Sequence, residues 1–296
     1  MILIGMPGQS APIDSKPQFE LSSLLKKALG KLVCNDDGSI LDPGQLDSLG
    51  KDFDKLNSIC QQLVSDGNLA DPTTALFVQE FLKCCIDQLD PEHAGAAALQ
   101  LGSLNYGGAF STQREPDYQE AMQWYKKGDQ LGNLQATINL GYCYEYGRTG
   151  QPDPGKAYEC YHRAALGSKI PEAHYKLGDM YRWGKGVKKD RKIAFALYDK
   201  ALQFMQSDSF DYEQDAPEIH ASILHRLADL IWESSSKTYD HTSPDLPLTC
   251  LSLYQEAERS YHRAIRNGLK YYRGNLEKVI DAQEQMRFYI DPPLIE

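Results

Sequence analysis

The sequence lacks any long apolar run. Nowhere in its 296 residues is there a stretch approaching the roughly 20 apolar residues that a helix needs to cross a bilayer. Residues 1–8 are apolar, but no basic segment accompanies them, and Pro7 and Gly8 cut the stretch short, so no signal peptide is predicted. These absences predict a cytoplasmic protein with no direct membrane insertion.

Positive charge is also scarce. The chain has 31 Lys and Arg residues against 41 Asp and Glu residues, which gives a formal net charge of -10. Binding to nucleic acid or to an anionic membrane surface needs a broad basic face. The charge balance therefore predicts that nucleic acid is not a partner of this protein.

The cysteines show neither a metal-binding nor a disulfide pattern. There are seven of them, an odd number, with no CxxC pair and no regular spacing. Reduced, buried thiols in a cytosolic protein are the favoured interpretation. The cysteines are Cys34, Cys60, Cys84, Cys85, Cys143, Cys160 and Cys250.

Catalytic and cofactor motifs are missing as well. Residues 178–186 fail as a phosphate-binding loop because the glycine spacing is one residue too long and Gly186 stands where a hydroxyl residue belongs. The turn at 35–38 lacks the carboxylates of a calcium loop, and His220 and His225 do not share a helix face. The sequence therefore predicts no catalytic residue, no metal ion, no cofactor and no enzyme activity.

Helical periodicity, by contrast, runs along most of the chain, and no segment shows strand-like alternation. Residues 1–16 are predicted to be a disordered leader, and 17–90 an all-helical block of about three helices. The Asp-Pro pairs at 71–72 and 90–91 are typical helix starts. The block is either a set of divergent repeats or a cap. Residues 271–296 are predicted to form a capping helix and tail.

A repeat dominates the middle of the chain. Residues 136–165 and 173–202 share the pattern A-x-x-x-L-G-x-x-Y-x-x-G, a turn, and then A-x-x-x-Y. Because two short helices cannot bury their own apolar face, such units stack on one another. The aligned first-helix positions are Leu101, Leu140, Leu177 and Leu227, and the aligned second-helix positions are Tyr125, Tyr161, Tyr198 and Tyr261.

The small residues of the repeat predict close packing. Gly141 and Gly178 lie inside the first helix, where glycine costs about 1 kcal/mol relative to alanine. Because this cost recurs at the same position of successive repeats, we expect the partner helix to approach the backbone closely there. The tyrosines are expected to fill the gap between adjacent units. Four glycines suit the positive φ of a tight turn, and two aspartates are expected to cap the second helix. These are Gly147, Gly150, Gly184, Gly186, Asp153 and Asp190.

The full pattern resembles the Sel-one-like repeat, a relative of the tetratricopeptide repeat. Residues 173–194 match it best, because they also contain its G-x-G-V-x-x-D turn. The resemblance covers about residues 94–268 and predicts repeats at about 91–133, 134–169, 170–217 and 218–270. It implies an all-α fold, a right-handed α-α superhelical solenoid of helix-turn-helix repeats. Members of the family usually act as adaptors that hold other proteins together.

Two insertions, near 205–217 and 234–250, flank the first helix of the fourth repeat. Long loops inserted in a repeat often lie on a binding face. A tolerated surface insertion is an equal alternative.

Partner binding is predicted for residues of the first helices and turns that the packing pattern does not use. Trp, Tyr and Arg most often anchor interfaces, so Trp183→Ala with Arg182→Glu is expected to abolish partner capture without changing helicity. The basic turn that follows either receives an acidic segment or is a solvated turn. The candidates are Asn105, Asn139, Tyr142, Glu145, Tyr146, Tyr175, Asp179, Arg182, Trp183, Lys185 and Lys188.

Together these features predict a non-catalytic scaffold or adaptor that binds a protein or peptide on the solenoid surface. The alternative is a regulatory subunit, or an effector or toxin–immunity-type module, whose activity resides in the N-terminal helical block.

Overall fold

The computed structural model describes residues 28–29, 53–67, 69–205, 211–235 and 245–291. Every regular element in these ranges is helical, which confirms the predicted all-α class. The chain divides into two compact units between Cys160 and Tyr161. The predicted leader, Cys34 and the turn at 35–38 lie outside the described residues, as do residues 206–210 and 236–244 of the two predicted insertions.

The first unit starts its helices as the Asp-Pro pairs predict. Asp71 accepts hydrogen bonds from the amides of Thr73 and Thr74 at 3.1 and 2.9 Å, and Asp90 caps the next helix in the same way. The helices of this unit are α1 (Phe53–Ser65), α2 (Pro72–Gln88), α3 (Pro91–Tyr106), α4 (Tyr118–Gln130), α5 (Leu134–Glu145) and the first half of α6 (Pro154–Gly167).

The N-terminal helices share a core with the first repeat. Leu56 of α1, Phe77 and Phe81 of α2, and Ala98 and Leu101 of α3 belong to one buried cluster. Burying each of the leucine and phenylalanine side chains contributes about 1.5–3 kcal/mol. A cut at residue 90 would therefore divide a hydrophobic core.

The second unit continues the pattern of paired helices. Its last helix buries Val279 and Met286 in a cluster with Leu224 and Tyr254 of the preceding pair, where the sequence predicted a capping helix. The described part of the first predicted insertion, near 205–217, contains a short helix. Arg263 holds this helix through the Glu213 carboxylate at 3.2 Å. The helices are the second half of α6, α7 (Pro171–Trp183), α8 (Arg191–Met205), α9 (Tyr212–Asp215), α10 (Pro217–Ser235), α11 (Asp245–Arg266) and α12 (Arg273–Ile290).

The repeated glycines are explained by the repeated tyrosines. A Cβ on Gly102 would lie 2.6 Å from the Tyr125 ring, and a Cβ on Gly178 would lie 2.6 Å from the Tyr198 ring. The approaching group is thus a side chain of the second helix of the same repeat. Tyr125 also packs in a cluster with Leu140 of the next repeat, so the expectation that it fills the space between units is confirmed.

Candidate functional site

The turn after the first helix has the same backbone geometry in two successive repeats. Gly147 and Gly184 adopt φ values of 60° and 70°. The residue after each glycine donates its amide to a carbonyl five residues back, Arg148 to Cys143 and Lys185 to Met180, both at 3.0 Å. This left-handed termination fits glycine because it lacks a Cβ. The predicted positive φ is confirmed at Gly147, Gly184 and Gly186, but Gly150 does not adopt it.

The second helix then starts at an aspartate, as predicted. Asp153 accepts the Lys156 amide at 3.0 Å, and Asp190 accepts the Lys192 amide at 2.9 Å. A carboxylate at this position satisfies free amides and favours the helix dipole. Each turn is therefore fixed at both ends, and it presents the residues between them in a defined arrangement.

An aromatic side chain is exposed at the start of each of these turns. Tyr146 is 50% exposed and Trp183 is 52% exposed. Each comes six residues after the leucine of its repeat (140 to 146 and 177 to 183). The helix ends there, so no following turn of helix covers the ring. Large aromatic residues left exposed at a fixed position are candidates for contacts with another molecule.

In the first unit, the exposed tyrosine belongs to a cluster of three tyrosines around one arginine. The Arg148 Cζ atom lies 5.6 Å from the Tyr106 ring centroid, 5.1 Å from that of Tyr118 and 5.4 Å from that of Tyr146. Its Nε donates to the Tyr106 hydroxyl at 2.8 Å. We call these four residues the tyrosine–arginine cluster. All three separations are in the range of favourable cation–π contacts.

In the second unit, the neighbour of the exposed aromatic residue is buried. Arg182 is 3% exposed, and it donates to Asp229 at 3.2 Å and to Glu233 at 2.5 Å. Its Cζ atom lies 4.6 Å from the Trp183 ring centroid. Trp183 therefore covers an ion pair between α7 and α10 with one face.

A second ion pair joins the same helices. Both Asp179 oxygens accept from the Arg226 Nε, at 2.7 and 2.8 Å, and Oδ1 also accepts from the Tyr198 hydroxyl at 2.7 Å. Burial alone would raise the pKa of Asp179, but the Arg226 charge and these hydrogen bonds outweigh it and hold that pKa below its ordinary value. The Arg226 guanidinium stacks on Tyr175, 4.9 Å from the ring centroid.

These contacts correct the predicted binding surface. Tyr175, Asp179 and Arg182 are buried, so they hold α7 against α10 instead of facing a partner. Arg182→Glu would put a third carboxylate beside Asp229 and Glu233, and it would not test partner binding. The turn lysines, Lys185 and Lys188, are exposed, as are Tyr146 and Trp183.

The remaining candidates are half-buried. Asn105 donates to the Leu101 carbonyl at 2.9 Å, and Asn139 forms a hydrogen bond with Tyr125. Tyr142 stacks on Tyr146 with ring centroids 6.0 Å apart, and Glu145 ends α5 beside them. The two asparagines thus serve packing, whereas Tyr142 supports an exposed ring.

Sequence reasoning missed Tyr106, Tyr118 and Arg148. None of them belongs to the repeat pattern, and Tyr106 and Arg148 are 42 residues apart. Two features of the sequence pointed to them. Arg148 directly follows the turn glycine Gly147, and the two tyrosines flank the corresponding turn of the first repeat.

Neither a membrane-spanning helix nor a metal site is found in the described ranges. None of the helices there combines the length and apolarity that a bilayer-spanning segment requires. The side chains described include no group of three or more His, Cys, Asp or Glu residues placed to hold a metal ion.

Three segments of the chain match a known repeat family, and two relatives match part of the chain. The Sel1 repeat family matches residues 95–133, 134–168 and 171–203. The ERAD-associated E3 ubiquitin-protein ligase components HRD3B and HRD3A of Arabidopsis thaliana are 34% and 33% identical over 94 residues, or 32% of this chain. The match spans only 15% and 14% of the length of these relatives.

Two solved structures are also similar. A Sel1 repeat protein from Oxalobacter formigenes is 30% identical over 43% of this chain and 90% of its own, with a TM-score of 0.36. The protective antigen c5321 of uropathogenic Escherichia coli, which has an SLR fold, is 17% identical over 82% of this chain and 64% of its own, with a TM-score of 0.37. The family matches lie within three of the predicted repeats. The fourth, at 218–270, stays a prediction.

Proposed function

Since this chain is a Sel1-repeat protein and Sel1 repeats are generally protein–protein interaction modules, we propose that it is a non-catalytic scaffold or adaptor. It binds a protein or peptide through the exposed side chains of its repeat turns. We place it in the cytoplasm, without nucleic-acid partners and without insertion into a membrane.

The observation that carries this proposal is the exposure of Tyr146 and Trp183 at the same position of successive repeats. Each ring is about half exposed, and each stands on a turn fixed by a left-handed glycine and a capping aspartate. A rigid aromatic residue loses little conformational entropy on binding, which makes it an effective anchor. Lys185 and Lys188 follow Trp183 in the same turn and are exposed, and their positive charge suits an acidic partner.

The test is capture of interacting proteins from a cell extract, with quantitative mass spectrometry, on the full chain and two single variants. Trp183→Ala and Tyr146→Ala are each expected to lower the recovery of a common set of partners by about tenfold, the loss typical of an anchor residue. Leu166→Ala is the matched control, because Leu166 is 76% exposed and lies in a second helix, away from the turn residues. Circular dichroism checks that helicity is kept.

Unchanged recovery with both aromatic variants would sink the proposed contact surface. Capture that then depended on the exposed residues of α1 and α2 would favour the alternative, in which the N-terminal helical block carries the activity. Point variants are preferable to truncation at residue 90, because α1 and α2 share their core with α3.

The relatives suggest one class of partner. HRD3A and HRD3B are components of a ubiquitin ligase by name, and subunits of such a ligase are therefore included among the partners to be sought. Because the match covers only 15% and 14% of these relatives, ligase subunits are the second class of partner to be tested.

A further inference from the structure

The tyrosine–arginine cluster of the first unit is more than a packing contact. Arg148 is exposed, and yet three rings and one hydrogen bond hold its guanidinium in place. An exposed arginine ordinarily samples many rotamers, and ordering it on binding opposes the affinity. Here the ordering is already present in the free protein.

The unused donors of Arg148 define what it can bind. A guanidinium has five N–H donors, and the Nε donor is bonded to the Tyr106 hydroxyl. Arg148 forms no salt bridge with the described residues, and its Nη atoms donate to none of them. The pair of Nη atoms matches the two oxygens of a carboxylate.

The surroundings favour a carboxylate over a phosphate. Phosphate groups carry close to two negative charges and are commonly bound by several cations. The nearest basic residue along the following helix, Lys156, is already paired with Asp153 at 3.1 Å. A single arginine with aromatic walls suits a singly charged side chain whose methylene groups can pack on tyrosine rings.

We propose that the tyrosine–arginine cluster is a preorganised recognition site for an Asp or Glu side chain of an acidic partner peptide. The backbone supports this role. The Arg148 amide donates to the Cys143 carbonyl at 3.0 Å, and the Thr149 hydroxyl contacts the Met122 sulfur at 3.1 Å, so the turn is tied to both α5 and α4. The site deepens the proposed scaffold function and rests on it.

The test measures binding of a fluorescein-labelled peptide of alternating Gly and Glu to the full chain by fluorescence polarisation, with its Gly–Gln counterpart as the uncharged probe. Arg148→Gln is expected to weaken binding of the acidic peptide at least about tenfold. Arg148→Lys, which keeps the charge but loses the planar fork, is expected to weaken it about fivefold. Lys126→Gln removes one exposed charge elsewhere in the same unit, and it is expected to change binding less than about twofold.

A readout on the unsubstituted protein covers the case in which Arg148 variants fold poorly. The Arg148 Nε–Hε resonance, assigned in the unsubstituted protein by through-bond correlation along the Arg148 side chain, is expected to shift saturably with the Gly–Glu peptide and not with the Gly–Gln peptide. Equal losses for Arg148→Gln and Lys126→Gln, or no shift of that resonance, would overturn the proposal. Tighter binding of a Gly–phosphoserine peptide would assign the site to phosphate and overturn it too.

The outcome is separable from that of the scaffold proposal. If partner capture depends on Trp183 and Tyr146 but Arg148→Gln changes neither capture nor peptide binding, only the carboxylate site is wrong. If no capture depends on Trp183 or Tyr146 while the acidic peptide binds through Arg148, the site stands and the wider surface is wrong.

Discussion

The Cα of Gly178 lies so close to the Tyr198 ring that an added Cβ would be 2.6 Å from the ring carbon Cε1. Tyr198 cannot move away freely, because its hydroxyl donates to Asp179 at 2.7 Å, one residue after the glycine. The pair locks α7 and α8 into one repeat. Gly102 and Tyr125 of the first repeat make the same close contact, so the contact is a recurring feature of the repeat.

Gly178→Ala is expected to lower the stability of the chain by up to about 2 kcal/mol, because overpacking that costs about 1–3 kcal/mol outweighs the gain of about 1 kcal/mol in helix propensity. Urea unfolding followed by circular dichroism measures the effect. Gly274→Ala is the control, since Gly274 lies in α12 with no atom within 4 Å of an added Cβ, and it should be neutral or slightly stabilising. Equal midpoints for the two variants would contradict the locking role of the tyrosine.

The Asp179–Arg226 pair is expected to respond strongly to loss of one partner. Arg226→Met leaves a buried carboxylate without its counter-ion, which typically costs about 3–5 kcal/mol. Adding Asp179→Asn removes that charge, so the double variant should recover much of the loss. Urea midpoints at pH 7 for the wild type, both single variants and the double variant measure the coupling.

The same pair has a defined pH dependence. The folded pKa of Asp179 is held below its ordinary value of 3.8, so its stabilisation is fully present above that value and is lost as the pH falls through the lower, folded pKa. In Arg226→Met, burial without the counter-ion should raise the pKa instead. The stability gap between this variant and the wild type should therefore narrow on acidification from pH 7 towards pH 4, and a constant gap would contradict the assignment.

Buried histidines should make the second unit sensitive to mild acid. Burial lowers the pKa of His225 from 6.5 to about 4, against the opposing charge of Asp229, while Arg226, Arg182 and Lys278 add to the lowering. Because the folded pKa is depressed, protonation favours the unfolded chain. The stabilisation that depends on neutral His225 is fully present above pH 6.5. It decreases between pH 6.5 and pH 4 and does not change further below pH 4. The total for His225 is at most about 3 kcal/mol. Tyr254 and Tyr261 also face this ring.

Unfolding midpoints between pH 7 and pH 4 test this expectation. In His225→Gln, the unfolding midpoint should decrease less between pH 7 and pH 4 than it does in the wild type. The remainder belongs to His174 and His220, whose pKa values are also lowered by burial. His262→Gln, at an exposed position in α11, should follow the wild-type curve. A decline that is unchanged in His225→Gln would show that this histidine is not its source.

The described cysteines are expected to be unreactive in the folded protein. Cys60, Cys84, Cys85, Cys143, Cys160 and Cys250 are free and buried. Burial raises the pKa of Cys60 and of Cys143 to about 12 and that of Cys250 to about 11, so the reactive thiolate is scarce at neutral pH. In a Cys34→Ser variant, an aromatic disulfide reagent should find no fast-reacting thiol until denaturant is added. A fast native reaction in that variant would contradict this burial.

Several features followed from the sequence alone because short-range chemistry determines them. The helix starts at Asp71 and Asp90 depend on capping and on proline at the first helical position, within a few residues. The left-handed turns at Gly147 and Gly184 depend on the absence of a Cβ. The period of the repeat predicts a close approach at the first-helix glycines, but the structure identifies the Tyr198 ring as the group that approaches Gly178.

Tertiary structure decided which of the candidate residues are exposed. Glu145 and Arg182 occupy the same position in successive repeats, five residues after the leucine (140 to 145 and 177 to 182). Glu145 is half-buried, whereas Arg182 is buried against Asp229 and Glu233, which are 47 and 51 residues away. Tyr106 and Arg148 meet across 42 residues. Periodicity specifies what each helix presents to its neighbour, but burial and ion pairing depend on the side chains that the next helix brings, and only the folded chain determines those.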